Sequence, residues 1–274
     1  MEIELVQLEC KDGDKAYNLN KAVDAVINCS ELTDILVFPE TYLSGFPTKE
    51  NLKTISEPLD GPSMTRLISF AQQKDVAIAI GFAEEHQGKY YNTTVFITPE
   101  NGVLAYYRKT HLWLTDQGIF DAGDRYSCVE WRGVKIGFLI CFDIEYPESA
   151  RALGELGTEL LIVTNGNMDP YAQTHRTAIM ARAQENQLFA VMVNRVGLGD
   201  GNLTFHGGSC VVNPAGHLLC EAGREECVMR VNIDPKQVSQ YQTEFHYLKE
   251  RRVKLSNKVI QHQDQHSHWM IASD

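Results

Sequence analysis

The stretch GFLICFDIEYPE, residues 137–148, carries a thiol at the end of an apolar run, Cys141, with Asp143, Glu145 and Glu148 close behind it. Four other apolar runs also end in polar groups: ILVFP leads to Glu40, VLAYYR to Lys109, LLIVT to Asn165 and FAVMV to Asn194. Such runs read as buried strands. Open α/β sheets bind ligands beyond the carboxyl ends of their strands, so these groups are expected to meet in one crevice. Taken singly each has a plainer reading: Glu40 as a turn acid after Pro39, Lys109 as a solvated cation, Cys141 as a small core residue. As a set they are complementary.

A thiolate is the reactive form of cysteine, and a strand that feeds a helix start sets the sulfur near unpaired backbone N–H groups, which predicts a lowered thiol pKa. Cys141 is then the expected nucleophile. Glu40, shielded in a pocket, is expected to take the thiol proton and return it to a departing amine. As the sulfur adds to an amide carbonyl, charge grows on oxygen, and Lys109 with the Phe142 backbone N–H is suited to hold it. The expected intermediate is a thioester, cleaved by water that Glu40 activates.

The elements that would position these groups alternate along the chain. IELVQLEC reads as a strand, residues 14–30 as a helix by the spacing of Ala, Leu and Val, and DILVFPE as a second strand. A helix over 61–75 starts at Pro and Ser and is followed by VAIAIGFAEE, apolar throughout as in a strand covered on both faces. KYYNTTVFITP and GVLAYYRK flank the turn PENG and read as a hairpin. VKIGFLIC, a helix over 147–157, ELLIVTN, a helix over 170–187, LFAVMVNRV and the closing segments GGSCVVNPAGHLLCEAG and CVMRVNI complete a mixed α/β pattern.

Composition bounds the class. The 274 residues, 43% hydrophobic, can bury a large core as one domain. A net charge of −11 argues against nucleic acid as a partner. No apolar run approaches the roughly 18 residues of a spanning helix, and MEIELVQLEC carries acids where a secretory leader has basic residues, so no membrane role and a cytoplasmic location are expected. Seven cysteines without CxxC spacing favour neither a disulfide framework nor a zinc site.

The segments FPETYLSGF, YRKTHLW, GFLICFDIEYPESAR, ARAQENQLFAVMVNRVG and HGGSCVVNPAG, in that order across nearly the whole chain, resemble the signature blocks of the carbon–nitrogen hydrolase (nitrilase) superfamily. The resemblance implies a four-layer αββα sandwich over residues 1–255, a Glu–Lys–Cys triad at Glu40, Lys109 and Cys141, no metal or organic cofactor, and homodimers. CFDIEYPE is similar to the amidase branch, where true nitrilases carry Trp-Glu after the cysteine, so a small amide is the expected substrate. N-carbamoyl hydrolysis, nitrile hydrolysis and a non-catalytic binding or redox-sensing homologue are the alternatives.

Many relatives have a second catalytic Glu four residues before a Phe, and here that position is Asp116, one methylene shorter, in a loop whose FDAGD also departs from the usual pattern. Asp116 is either a supporting catalytic acid or a surface acid. Trp113, Phe142, Tyr146, Asn165 and Met168 are expected to line the substrate pocket. Glu148 and Arg151, spaced i, i+3, are expected to pair. By the resemblance, Glu185 and Asn186 support the site and the dimer. The tail 256–274, with His262, His266 and His268, reads as a dimer arm rather than a metal site.

Overall fold

The computed structural model describes residues 1–253 and 259–271. The expected boundary at 255/256 lies outside those residues. In chain order the elements are β1 (Glu2–Gln7), α1 (Lys15–Asn28), β2 (Ile35–Val37), α2 (Leu52–Ile55), α3 (Pro62–Lys74), β3 (Ala77–His86), β4 (Lys89–Thr98), β5 (Gly102–Arg108), β6 (Arg125–Trp131) and β7 (Val134–Ile140). A 3-10 turn over Cys141–Glu145 leads to α4 (Pro147–Glu155), β8 (Leu160–Asn165), α5 (Ala172–Asn186) and β9 (Phe189–Asn194). Then come β10 (Val196–Leu198), β11 (Thr204–His206), β12 (Cys210–Val212), β13 (Leu218–Glu221), β14 (Cys227–Asn232), α6 (Tyr247–Glu250), β15 (Val259–Gln263) and β16 (His266–Met270).

Helix ends follow local chemistry. Asp14 caps α1 by accepting the Tyr17 N–H at 3.0 Å. Pro62 and Pro147 open α3 and α4, where a missing N–H costs nothing.

Two large sheets form, one in the order β14-β1-β2-β3-β4-β5 and one in the order β13-β12-β9-β8-β7-β6-β16-β15, beside a two-stranded β10-β11 ribbon. Alternation along the strands decides the layers. Ile35, Val37, Ala77 and Ala79 join Phe138, Ile140 and Ile162 between the sheets, while Leu161 and Val163 face the opposite way. Leu36, Ile78 and Ile80 point the other way, onto Val23 and Val26 of α1 and Met64 and Leu67 of α3. On the far side α4 and α5 contribute Leu153, Ile179 and Ala183. The result is the expected four-layer αββα sandwich. Phe96 bridges the sheets, its ring centroid 5.5 Å from Phe138 and edge-on to Trp131 at 5.6 Å.

The described tail is a hairpin. β16 pairs antiparallel with β6, so residues 259–270 extend the second sheet of their own chain. His262, His266 and His268 therefore sit on two strands, with His262 Nδ1 2.9 Å from Ser267 Oγ and His268 Nδ1 3.1 Å from Ser127 Oγ. The expected Glu148–Arg151 pair does not form. Arg151 donates instead to the Glu185 carbonyl at 2.7 Å, tying α4 to α5, and Glu148 points to solvent.

One close approach sets up the site. The turn after β2 lies on β3 at Gly81, where a Cβ would stand 2.3 Å from the Thr41 nitrogen. Gly81→Ala is expected to lower stability by about 1–3 kcal/mol through that clash. The midpoint of a urea titration measures it, and an unchanged midpoint would show that the turn retreats from β3 without cost.

Candidate active site

Glu40 follows β2 in a turn bonded on two sides: Phe38 N–H donates to the Ala79 carbonyl at 2.8 Å, and Glu40 N–H to the Asn165 carbonyl at 3.2 Å. Its side chain is fully buried. Oε1 accepts from Lys109 Nζ at 2.8 Å and from Asn92 Nδ2 at 2.7 Å. Oε2 has no hydrogen-bond partner among the described residues. Gly166 makes room for that oxygen, since a Cβ there would lie 2.6 Å from it.

Lys109 extends the edge of β5, its N–H donating to the Asn92 carbonyl at 2.9 Å. The ammonium is 2% exposed and also contacts Asp116 Oδ2 at 2.6 Å. Burial disfavours its charge, but Glu40 and then Asp116 outweigh burial and hold Lys109 well above the ordinary lysine range. Of the two readings for Asp116, the surface acid is excluded, because its side chain is 3% exposed. A turn makes up for the missing methylene: Asp116 N–H donates to the Trp113 carbonyl at 2.9 Å, and Oδ2 accepts the Trp113 N–H at 3.0 Å.

Cys141 begins the 3-10 turn with φ of 46°, a left-handed conformation that costs a non-glycine residue about 1–3 kcal/mol. Its surroundings reverse one expectation. Burial first, and then the Glu40 charge, push the thiol well above its usual pKa, while Lys109 and a backbone hydrogen bond to Gly166 only partly oppose them. The unpaired N–H groups that predict a lowered value are outweighed by desolvation. The resting sulfur is a neutral thiol.

Asp143, buried completely, holds the nucleophile's turn to the segment that carries Lys109. Oδ2 accepts from Tyr107 Oη at 2.9 Å and Ile140 N–H at 3.1 Å; Oδ1 accepts from Thr110 Oγ1 at 2.8 Å and from His111 N–H and Nδ1, both at 2.9 Å. Burial and the neighbouring Asp143 charge keep the Tyr107 hydroxyl protonated, as a donor must be.

Glu40, Lys109, Asp116 and Cys141 line one cavity of about 320 Å³, whose walls include Trp113, Phe142 and Met168. Two expected lining residues lie elsewhere. Tyr146 stacks on His111 with centroids 3.9 Å apart, held there by the turn that places Asp143. Asn165 is fully buried, and its Oδ1 lies 3.0 Å from His175 Nδ1 at the border of a neighbouring polar cavity. Its main chain, not its side chain, serves Glu40. Residues to which the sequence reading gave no pocket role are Phe46, Glu145, Tyr171 and His175 on the walls, and Asn92 behind Glu40. Asn92 had a signal, since an Asn in the middle of YYNTTVFIT is a poor strand former and needs a buried partner. Glu185 and Asn186 stay in α5, where Glu185 pairs with Arg182 and Asn186 Nδ2 donates to the Arg182 carbonyl at 2.9 Å.

The carbon–nitrogen hydrolase family model matches residues 3–243. Over 273 residues the chain is 54% identical to an (R)-stereoselective amidase of a Pseudomonas species, covering 100% of this chain and 99% of that one. A carbon–nitrogen hydrolase superfamily protein of Xanthomonas campestris with an arsenic adduct in its active site superposes with a TM-score of 0.86 at 26% identity, over 93% of this chain and 98% of that one. An amidase from a Nesterenkonia species superposes at 0.82 with 27% identity, over 92% and 93% of the two chains. Variants of that amidase carry acrylamide, or the acetamide moiety of fluoroacetamide, on the active-site cysteine. With this architecture and a family match across most of its length, the chain belongs to the carbon–nitrogen hydrolase family.

Proposed function

We propose that the protein hydrolyses a small amide through a thioester on Cys141, with Glu40 as proton carrier, Lys109 as oxyanion holder and Asp116 as the acid that fixes Lys109. The observation that carries this reading is the buried Lys109 ammonium, bonded to two carboxylates in the same cavity as the thiol. Oε2 of Glu40 is the free oxygen, so it takes the Cys141 proton as sulfur adds to the carbonyl carbon. An ammonium has three donors, and two of those of Lys109 are occupied. The third meets the oxyanion, together with the Phe142 N–H, which as part of the first 3-10 turn has no acceptor within that turn.

Glu40 then protonates the leaving nitrogen, the C–N bond breaks, and ammonia or an amine departs. Water delivers its proton to Glu40 and attacks the thioester, the C–S bond breaks, and Glu40 returns the proton to sulfur. No cofactor takes part. We extend the proposal to a homodimer, on family membership, and to a reducing compartment such as the cytoplasm, since all seven cysteines are free and most are buried.

Intact mass after mixing with small primary amides is expected to show an acyl adduct on Cys141, lost with turnover in Cys141→Ala; ammonia release by that variant would end the proposal. Asp116→Ala frees Lys109 to shift, and kcat is expected to fall about 100-fold with the fold retained. A fall of less than about threefold would assign Asp116 a packing role. Because the Cys141 pKa is raised, its thiolate fraction grows with pH throughout the neutral and mildly alkaline range. Alkylation of Cys141 by a neutral reagent, followed by peptide mass, should therefore keep rising beyond about pH 9. A plateau below about pH 8 would instead mark the low-pKa thiol of a redox sensor.

A further inference from the structure

We propose that Glu145 binds an ammonium group on the substrate, so that the preferred amides carry a protonated amine a few bonds from the scissile carbonyl; this rests on the amide-hydrolase reading above. The cavity that holds Cys141 is lined by four acids, Glu40, Asp116, Glu145 and Asp200, against Lys109 and His175. Lys109 is engaged by Glu40 and Asp116. Even with His175 protonated the walls are net negative, a poor setting for a substrate carboxylate and a good one for a cation.

Glu145 is the acid of this set with the means to hold one. It stands four residues after Cys141 in the same 3-10 turn, about 8 Å along the axis at roughly 2 Å per residue. That span suits a short aminoalkyl amide whose carbonyl lies at the sulfur. Its Oε1 lies 3.1 Å from Nε2 of the buried His175, which fixes the rotamer, while Oε2 has no hydrogen-bond partner among the described residues. The Glu145 side chain is 32% exposed, open to the cavity where His175 is closed.

His175 ties Glu145 to the end of β8: its Nδ1 lies 3.0 Å from Asn165 Oδ1 while its Nε2 faces Glu145 Oε1, so the buried ring holds the Glu145 carboxyl in one orientation. The first turn of α5, which contributes Thr174 and His175 to the cavity, adds a partial positive charge that favours the carboxylate. Apolar walls from Trp113, Phe142 and Met168 lower the local dielectric and strengthen an ammonium–carboxylate contact.

The test compares 3-aminopropanamide, butanamide and succinic monoamide, which place an ammonium, a methyl and a carboxylate at or near the same distance from the amide. For the wild type near neutral pH, kcat/KM is expected to be about 10-fold or more higher for the ammonium amide than for butanamide, with the carboxylate lowest. In Glu145→Gln, which still offers His175 an acceptor, the ammonium-to-methyl ratio should fall by about 10- to 100-fold, mainly through KM. Glu145→Lys should move the preference toward succinic monoamide. A wild type that prefers butanamide, or a ratio unchanged in Glu145→Gln, overturns the proposal. If none of the three is hydrolysed and no adduct forms on Cys141, the amide-hydrolase reading fails instead. Calorimetric binding of 3-aminopropanamide to Cys141→Ala, with and without Glu145→Gln, then decides the ammonium site without turnover. Weaker binding in the double variant supports the site, and equal or absent binding refutes it.

Discussion

The site depends on keeping one ammonium charged where water cannot reach it. Lys109 is 2% exposed, and an unpaired cation at that depth would cost several kcal/mol in desolvation. Glu40 and Asp116 offset this from two other segments of the chain, at 2.8 and 2.6 Å. The dependence is mutual: each carboxylate is buried too and needs the cation as much as the cation needs it. Removing one member leaves the others uncompensated, so the three behave as one unit.

The same desolvation acts with opposite consequence on the thiol. Burial and the nearby Glu40 charge push the Cys141 thiol pKa up, and in the proposed reaction the free Oε2 of Glu40 accepts its proton. On that proposal reactivity is tied to the arrival of an electrophile, the proton moving as the carbon–sulfur bond forms. Strain is localised at the same point: Cys141 and Thr41, which follows Glu40, both adopt positive φ, at 46° and 45°. Asp143 and its five donors hold the turn in that conformation.

Sheet closeness does the rest of the positioning. Gly81 lets the Glu40 turn lie on β3, Gly166 lets the carboxylate approach the end of β8, and the four helices of the outer layers carry none of the four central groups. The helices contribute walls and charge instead, as α5 does with His175 against Glu145.

The order of strands and helices was legible in the chain because buried strands are apolar runs and helices announce themselves by period and by Pro62 and Pro147 at their starts. Glu40, Lys109 and Cys141 stood out because each terminates such a run. β6, β15 and β16 did not register, since RYSCVEW and VIQHQDQHSHWM mix polar and apolar residues and owe their pairing to the sheet edge they join. The sequence by itself determined the inventory of reactive groups and the elements that carry them. Only the tertiary structure decided that Asp116 is buried, that Tyr146 and Asn165 turn away from the cavity, that burial pushes the Cys141 thiol pKa up and that Glu145 lines the cavity. Local pattern sets where a strand ends, but burial, hydrogen-bond partners and local potential arise from segments up to about a hundred residues apart, and these are what set a side chain's direction and charge.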